Sequence, residues 1–394
     1  MDKIGKGAKD NMRTTKMTNK IKELGNMNVQ FPDYDKCSVN MSNSIMKHFG
    51  LEPYHQTLPI LDDYLAKDYR NVVLMLFDGL GSDLLEKHLS ADSFLRKNKV
   101  DDISAVFPSA TVIATTSITT GKNPSEHGWV GWDIYVESLN LTVTTFLNTV
   151  KGTTKQAADD HVIRREFPNV TIVDAINEQT EHGAYWLSPF EYTTYDYKQP
   201  EEMFKEIARL CTTNEKKYIY AYNVEPDALM HQYGVDDGRV IEKIEWINDQ
   251  VEKLARQLED TLVIVTADHG HMNASPIFLD QYPELTSLFL REPSIDFRAQ
   301  TYFIKAGEQE TFSRRFNQLF GEDFKLFTKQ EVLDLQLFGT GEINEKFDST
   351  LGDFLAVGIR DKYIKDKTEG HPLKGHHGGL IKEEMTVPLI IIET

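Results

Sequence analysis

Short runs of apolar, β-branched and aromatic residues recur along the chain, and several are apolar at every position. A strand of this kind has both faces buried, as in a parallel sheet between two layers of helices. Between the runs lie helical patterns, the clearest of which is an apolar stripe from Ile241 to Leu258. This alternation predicts an α/β fold, a three-layer α/β/α sandwich around a mostly parallel sheet. The predicted strands are 72–77, 103–107, 184–187, 218–223, 262–267, 301–305, 354–359 and 387–392.

One segment breaks this alternation. Residues from about 280 to 350 are rich in Phe, Glu, Lys and Gln, with helix-like patterns at 311–320 and 329–337. Because candidate site residues precede and follow it, we expect a cap subdomain inserted into a single catalytic domain spanning 31–394. Residues 1–30 contain lysines but no apolar segment, so we expect a mobile lead-in rather than a signal peptide.

Charge and cysteine content exclude several classes of partner. The formal net charge of −18 disfavours a surface for nucleic acid or anionic membranes, which would need clustered Lys and Arg. No apolar run approaches the length of a membrane-spanning helix. Cys37 and Cys211 are the two cysteines, far apart and in no metal-ligand spacing. Reduced thiols are expected, and with them a cytoplasmic location.

Four clusters of acidic and histidine residues follow predicted strands or lie close to them. Parallel strands end at one edge of a sheet, where ligands bind in such folds, so these clusters are expected to meet. Each cluster alone also fits a turn or a solvated loop, but their joint occurrence favours two divalent metal ions. Carboxylates and imidazoles without thiolates favour zinc, with manganese or iron as alternatives. The clusters are Asp78, Asp227 with His231, Asp268 with His269, and His376 with His377.

A candidate nucleophile lies between the strand at 103–107 and a helix that begins near Thr111. A hydroxyl at a helix N-terminus meets backbone N–H groups that can hold a phosphoryl oxygen, and a nearby metal lowers its pKa. The alternative is that Ser109 or Thr111 merely caps the helix. His271 is either a support for the ligands or a solvated loop residue. For Arg298 we expect an ordinary surface ion pair.

The assembled motifs resemble those of the alkaline phosphatase superfamily, and within it the type I phosphodiesterase/nucleotide pyrophosphatase family. They follow the family's order: LFDGLG, FPSAT with TTGKNPSEHGWVGW, EPDALMHQYG, TADHG and GHHGG. The resemblance implies an alkaline phosphatase-like fold with two metal sites. The implied ligands are Asp78, Thr111, Asp268 and His269 for one ion, and Asp227, His231 and a third histidine for the other. His377 fits this last role better than His376.

The resemblance also implies a reaction. Thr111, with Ser109 as the fallback, would attack phosphorus and form a phosphothreonine intermediate that water then hydrolyses. The substrate would be a small phosphate ester, nucleotide-like or other, cleaved at a phosphodiester or pyrophosphate bond. Nucleotide pyrophosphatases commonly carry an asparagine three residues past the nucleophile, where this chain has Ala114. Phosphomonoester and phosphonate substrates therefore stay open, as do a homodimer and a catalytically silent member that binds a phosphorylated ligand.

Overall fold

A computed structural model of the chain describes residues 28–190, 193–368 and 371–394. The predicted lead-in at 1–30 falls, up to residue 27, outside the described residues. In the described ranges, no helix is both long enough and apolar enough to cross a membrane. The helices are α1 Ser38–His48, α2 Pro59–Leu65, α3 Ser82–His88, α4 Phe94–Lys97, α5 Thr111–Thr120, α6 Pro124–His127, α7 Val162–Glu166, α8 Ile172–Gln179, α9 Pro200–Cys211, α10 Asp227–Tyr233, α11 Gly238–Ala255, α12 Pro283–Thr286, α13 Gln309–Phe320, α14 Lys329–Asp334, α15 Phe347–Thr350 and α16 Lys382–Met385. The strands are β1 Asn71–Phe77, β2 Lys99–Ser104, β3 Asp133–Val136, β4 Leu141–Thr144, β5 Thr149–Val150, β6 Gly183–Ser188, β7 Tyr195–Asp196, β8 Lys217–Asn223, β9 Thr261–Thr266, β10 Met272–Asn273, β11 Ser275–Phe278, β12 Ser294–Ile295, β13 Ala299–Tyr302, β14 Phe324–Thr328, β15 Phe354–Gly358, β16 Lys362–Lys365, β17 Gly375–His376 and β18 Thr386–Glu393.

Seven strands form the main sheet in the order β2-β18-β9-β1-β8-β6-β7. Neighbouring strands from β9 to β7 are parallel, and β18 runs antiparallel between β9 and β2. The central strands β1, β8 and β9 are buried along their whole length, as their uninterrupted apolar or aromatic sequences require. Six of the eight predicted strands lie in this sheet. The predicted α/β class with a mostly parallel sheet is confirmed.

A second sheet of seven antiparallel strands has the order β14-β15-β13-β12-β3-β4-β5. It contains the other two predicted strands, as β13 and β15. The segment predicted as a cap at about 280–350 contributes three of its strands, and these pair through β12 and β3 with an earlier part of the chain. On α13, the buried side chains of Phe312, Phe316 and Phe320 recur every four residues and pack with Tyr302 and Phe324 of this sheet.

Arg298 does not form the surface ion pair that its sequence suggested. Its side chain is fully buried, and its guanidinium donates to both carboxylate oxygens of Glu384, at 2.6 and 2.7 Å. Glu384 also accepts hydrogen bonds from the backbone N–H groups of Gly379 and Ile381, at 2.9 and 3.2 Å. Because Arg298 directly precedes β13, this pair attaches the second sheet to the loop that carries His377.

Replacing Arg298 by methionine should lower the free energy of unfolding by about 3–5 kcal/mol, since the buried Glu384 carboxylate then loses its cation. Urea denaturation measures the difference. The control is Arg256→Met, which removes an exposed ion pair with Glu252 and should cost less than about 1 kcal/mol. Equal losses in the two variants would contradict the assigned role of the buried pair.

Candidate metal centre

Three aspartates meet at the carboxyl ends of three neighbouring parallel strands. Asp78 follows β1, Asp227 begins α10 after β8, and Asp268 follows β9. Backbone hydrogen bonds fix their positions. The N–H of Asp78 donates to the carbonyl of Asn223 at 2.9 Å, and the N–H of Asp227 donates to the carbonyl of Asp78 at 3.1 Å. The N–H of Gly79 donates to Asp268 Oδ1 at 3.1 Å. The three aspartates therefore converge at the edge of the sheet, as predicted.

Three histidines face these aspartates in one common orientation. In each, Nδ1 lies within hydrogen-bond distance of a backbone carbonyl, which can only accept. The proton therefore sits on Nδ1, and the lone pair of Nε2 is free to bind a metal, as in most histidine metal ligands. The pairs are His231 with Gly375 at 2.9 Å, His269 with Gly270 at 2.9 Å, and His377 with Ser109 at 3.0 Å.

The first group of candidate ligands surrounds the Thr111 hydroxyl. Thr111 Oγ1 lies 3.2 Å from His269 Nε2 and 3.4 Å from each carboxylate oxygen of Asp78. His269 Nε2 lies 3.3 Å from Asp78 Oδ1 and 3.5 Å from Asp268 Oδ2. These four residues are the ones that the family resemblance implies around one ion.

The second group is centred on Asp227. His231 Nε2 lies 3.3 Å from Asp227 Oδ2 and 3.2 Å from His377 Nε2. The rings of His269 and His377 stack with centroids 3.7 Å apart, so the two groups are in direct contact. Asp227 can also contribute an oxygen within 4.8 Å of ligand atoms of Asp78 and His269. All seven predicted site residues thus come together.

The structure separates the residues that the sequence left as alternatives. His377 enters the second group, whereas the ring of His376 packs on Tyr363 with centroids 4.6 Å apart. The Ser109 hydroxyl donates to the carbonyl of Gly379 at 3.0 Å, and it is Thr111 that faces the ligands. The residue before α5, Ala110, is the N-cap, so Thr111 does not cap this helix.

Two further residues belong to the site. Tyr222, at the end of β8, is buried and its hydroxyl donates to Asp78 Oδ2. The sequence signal for it was the alternation of Tyr218, Tyr220 and Tyr222 toward one face of a strand that leads to Asp227. His271 is fully buried with Nε2 3.2 Å from Asp227 Oδ1, so it is not a solvated loop residue.

The three buried carboxylates have shifted pKa values. Burial, together with the charges of Asp268 and Asp227, raises the pKa of Asp78 well above its ordinary value. Burial also raises the pKa of Asp268, against the opposing effect of His269. For Asp227 burial acts in the same direction, but His231 and His271 outweigh it and lower the pKa. Three carboxylates this close cannot all stay ionised at low cost without added positive charge.

Divalent cations fit this arrangement. Asp227 Oδ1 and Asp268 Oδ2 are buried side-chain oxygens without a hydrogen-bond partner in the described part of the chain. Burying unpartnered carboxylate oxygens is costly, and coordination of a cation removes that cost. The donor set of carboxylates, imidazoles and one hydroxyl suits zinc better than magnesium.

Three solved structures that resemble this chain are of ectonucleotide pyrophosphatase/phosphodiesterase 5. Murine ectonucleotide pyrophosphatase/phosphodiesterase 5, in a structure of an inactive variant in complex with AMP, is 20% identical, with a TM-score of 0.63 over 82% of this chain and 87% of that chain. A second murine structure is 21% identical, with a TM-score of 0.62 over 82% and 88%. The human protein is 18% identical, with a TM-score of 0.61 over 82% and 87%. These likenesses confirm the predicted alkaline phosphatase-like fold.

Sequence comparison gives the family. A search of curated proteins yielded no match. The family profile described as "Type I phosphodiesterase / nucleotide pyrophosphatase" matches residues 72–380, which is most of the chain and includes every predicted site residue. The chain therefore belongs to the type I phosphodiesterase/nucleotide pyrophosphatase family.

Proposed function

We propose that the protein is a metal-dependent hydrolase that cleaves phosphodiester or pyrophosphate bonds through a phosphothreonine intermediate. Family membership supports the hydrolase class. The observation that carries the proposal is the position of Thr111. Its hydroxyl, on the first residue of α5, lies 3.2 Å from His269 Nε2 and 3.4 Å from both oxygens of Asp78. A hydroxyl among such ligands can be activated as a nucleophile.

The surrounding residues hold this nucleophile and its substrate. The N-terminus of α5 supplies backbone N–H groups and the positive end of a ten-residue helix dipole, which favour an anionic phosphoryl group. Tyr222 orients Asp78 by donating to Oδ2, while Oδ1 faces His269. The backbone contact between Asp227 and Asp78 keeps the two ligand groups at a fixed separation.

Two divalent ions, most favourably zinc, complete the proposed site. When bound, they supply positive charge that lowers the pKa of the Thr111 hydroxyl and stabilises the phosphoryl oxygens. The unpartnered oxygens of Asp227 and Asp268 support this. So does the metal dependence of the family. The proposed ligands are Asp78, Thr111, Asp268 and His269 for one ion, and Asp227, His231 and His377 for the other.

We propose a small, nucleotide-like phosphate ester as the substrate. The AMP in the murine ectonucleotide pyrophosphatase/phosphodiesterase 5 structure supports this choice. Ala114, buried on α5 one turn after Thr111, has no side-chain donor for a phosphate oxygen. Phosphomonoesters and phosphonates are therefore the second candidate substrates. A cytoplasmic location is also proposed, supported by Cys37 and Cys211, which are both buried and unpaired.

A substrate panel should separate these candidates. We expect the p-nitrophenyl ester of a nucleoside monophosphate and bis-p-nitrophenyl phosphate to be hydrolysed faster than p-nitrophenyl phosphate, and a chelator to abolish each activity. Release of p-nitrophenol measures all three rates. Faster turnover of the monoester would identify the protein as a phosphomonoesterase instead. Absence of chelator-sensitive turnover with every compound would favour a silent phospho-ligand-binding protein.

Thr111→Ala should lower kcat by at least about 1,000-fold, because the variant lacks the attacking hydroxyl. Thr111→Ser should retain more activity, since it keeps a hydroxyl at that position. The control Thr116→Ala removes a hydroxyl on the same helix that donates to the carbonyl of Val112, and should leave kcat close to that of the wild type. Mass spectrometry of acid-quenched wild type should show one phosphoryl group on the peptide containing Thr111. Phosphorylation of Ser109 instead would move the nucleophile.

Removing metals should lower the melting temperature, because the three buried carboxylates then repel one another. Restoring zinc at about 100 times its dissociation constant should return about 2.7 kcal/mol of stability. Thermal unfolding before and after dialysis against a chelator measures the effect. Asp78→Asn should reduce the zinc-dependent shift, whereas the exposed Asp92→Asn should preserve it. A melting temperature insensitive to metal in the wild type would count against a metal centre.

A further inference from the structure

We infer that a small polar pocket beside the metal centre binds a hydroxyl group on the alcohol component of the substrate. The pocket lies where β3 meets the turn between β12 and β13, and its polar lining residues include Asp133, Lys151, Ser294 and Asp296. None of these four is among the proposed metal ligands. The inference rests on the proposed function, since it requires a phosphate ester as substrate, and it narrows the substrate class to esters of polyols and sugars.

The pocket adjoins the loop that carries His377. A Cβ at Gly378, the residue after His377, would lie 2.9 Å from Asp296 Oδ1. Burial raises the pKa of Asp296 to about 7, and His269 is near enough for its positive charge to oppose this effect. One wall of the pocket is therefore close to residues of both proposed ion sites. A substrate whose phosphate lies at these sites can place its alcohol component against that wall.

Ser294 and Asp296 are buried polar residues with unused hydrogen-bonding capacity. Ser294 is only 2% exposed, yet its hydroxyl has no hydrogen-bond partner in the described part of the chain. Asp296 is 8% exposed, and its Oδ1 accepts from the N–H of Phe297 at 2.7 Å, but it forms no ion pair with a described residue. Burying polar groups without partners is costly, and a bound group that forms hydrogen bonds with them removes that cost. The pocket therefore favours a polar ligand group.

The mixture of donors and acceptors identifies that group as a hydroxyl. Asp133 and Asp296 offer acceptor oxygens. Lys151 is a donor, with Nζ 2.6 Å from Asp366 Oδ2 and 4.0 Å from Asp133 Oδ2. A hydroxyl can donate to a carboxylate and accept from an ammonium or from Ser294, so it suits both kinds of neighbour. A ligand ammonium would instead be repelled by Lys151.

A metal ion is not favoured in this pocket. Among the described residues, the groups of acidic and histidine side chains that could hold an ion do not include Asp133 or Asp296. The positive charge of Lys151 already lies between Asp366 and Asp133. The pocket is therefore distinct from the metal centre in its chemistry.

The pocket is narrow and its walls are fixed. Its volume is about 10 Å³, which is the space that one group of the size of a water molecule needs. Asp133 pairs with Ile295 where β3 meets β12. At Gly131 a Cβ would lie 2.4 Å from the Cα of Ile295, so a residue without a side chain lets the two segments approach this closely. A single hydroxyl therefore fits the pocket, whereas an aromatic ring or a trimethylammonium group does not.

Three p-nitrophenyl phosphodiesters with the same carbon skeleton test this on the full chain loaded with zinc: the esters of glycerol, propanol and 3-aminopropanol. In the wild type, kcat/KM for the glycerol ester should exceed that for the propyl ester by at least about 10-fold, because a propyl chain leaves the polar groups of the pocket unpaired. The aminopropyl ester should show no such preference, because its ammonium would face Lys151. Release of p-nitrophenol measures all three rates.

Ser294→Ala should lower the ratio of kcat/KM between the glycerol and propyl esters by at least about 5-fold, since it removes one partner of the bound hydroxyl. Asp296→Asn should lower the ratio as well, because one carboxylate oxygen becomes an amide donor. Both rates are measured on one preparation, so a smaller folded fraction cancels from the ratio. The matched control is Ser38→Ala, which removes another buried hydroxyl without a hydrogen-bond partner, on α1 and outside the pocket. Its ratio should equal that of the wild type.

Three results would overturn the inference and leave the proposed function intact: equal kcat/KM for the glycerol and propyl esters, a preference for the aminopropyl ester, or a ratio in Ser294→Ala no lower than that in Ser38→Ala. If none of the esters is hydrolysed, the proposed function fails. Isothermal titration calorimetry with glycerol phosphate and propyl phosphate then decides the inference. Tighter binding of glycerol phosphate that is lost in Ser294→Ala would support the pocket, and equal affinities would overturn it.

Discussion

Three carboxylates that are buried side by side are the constraint on which this structure depends. Asp78, Asp227 and Asp268 are placed together by strand pairing, and their mutual repulsion has to be offset by cations. The inward-facing imidazoles and the hydroxyl of Tyr222 complete a pocket that suits such cations. The same arrangement reconciles a net charge of −18 with an anionic substrate, since bound ions reverse the sign of the local potential.

The two sheets contribute different parts of this centre. The main sheet presents the aspartates together with His231 and His269, all at or just beyond the ends of parallel strands. His377 comes from a loop held by the buried pair of Arg298 and Glu384, which also binds the second sheet. The second sheet therefore supports one of the proposed metal ligands.

Local patterns predicted the main sheet and the convergence of its ligands, because burial on both faces and residue order are visible in a single sequence. They could not predict the second sheet, since β3, β4 and β5 are only two to four residues long, and β3 alone of these pairs with β12, across a long sequence separation. Arg298 was misjudged because its partner lies 86 residues away. The burial of His271 likewise depends on Gly375, which no local pattern connects to it.

The position of β18 has a consequence for how the enzyme is made. Within the main sheet β2 pairs only with β18, and β2 leads directly into the segment that carries Thr111. A nascent chain that has not yet produced residues 386–393 lacks the strand that pairs with β2. The segment that carries Thr111 therefore gains this support only after the three strands that precede the aspartates have been synthesised.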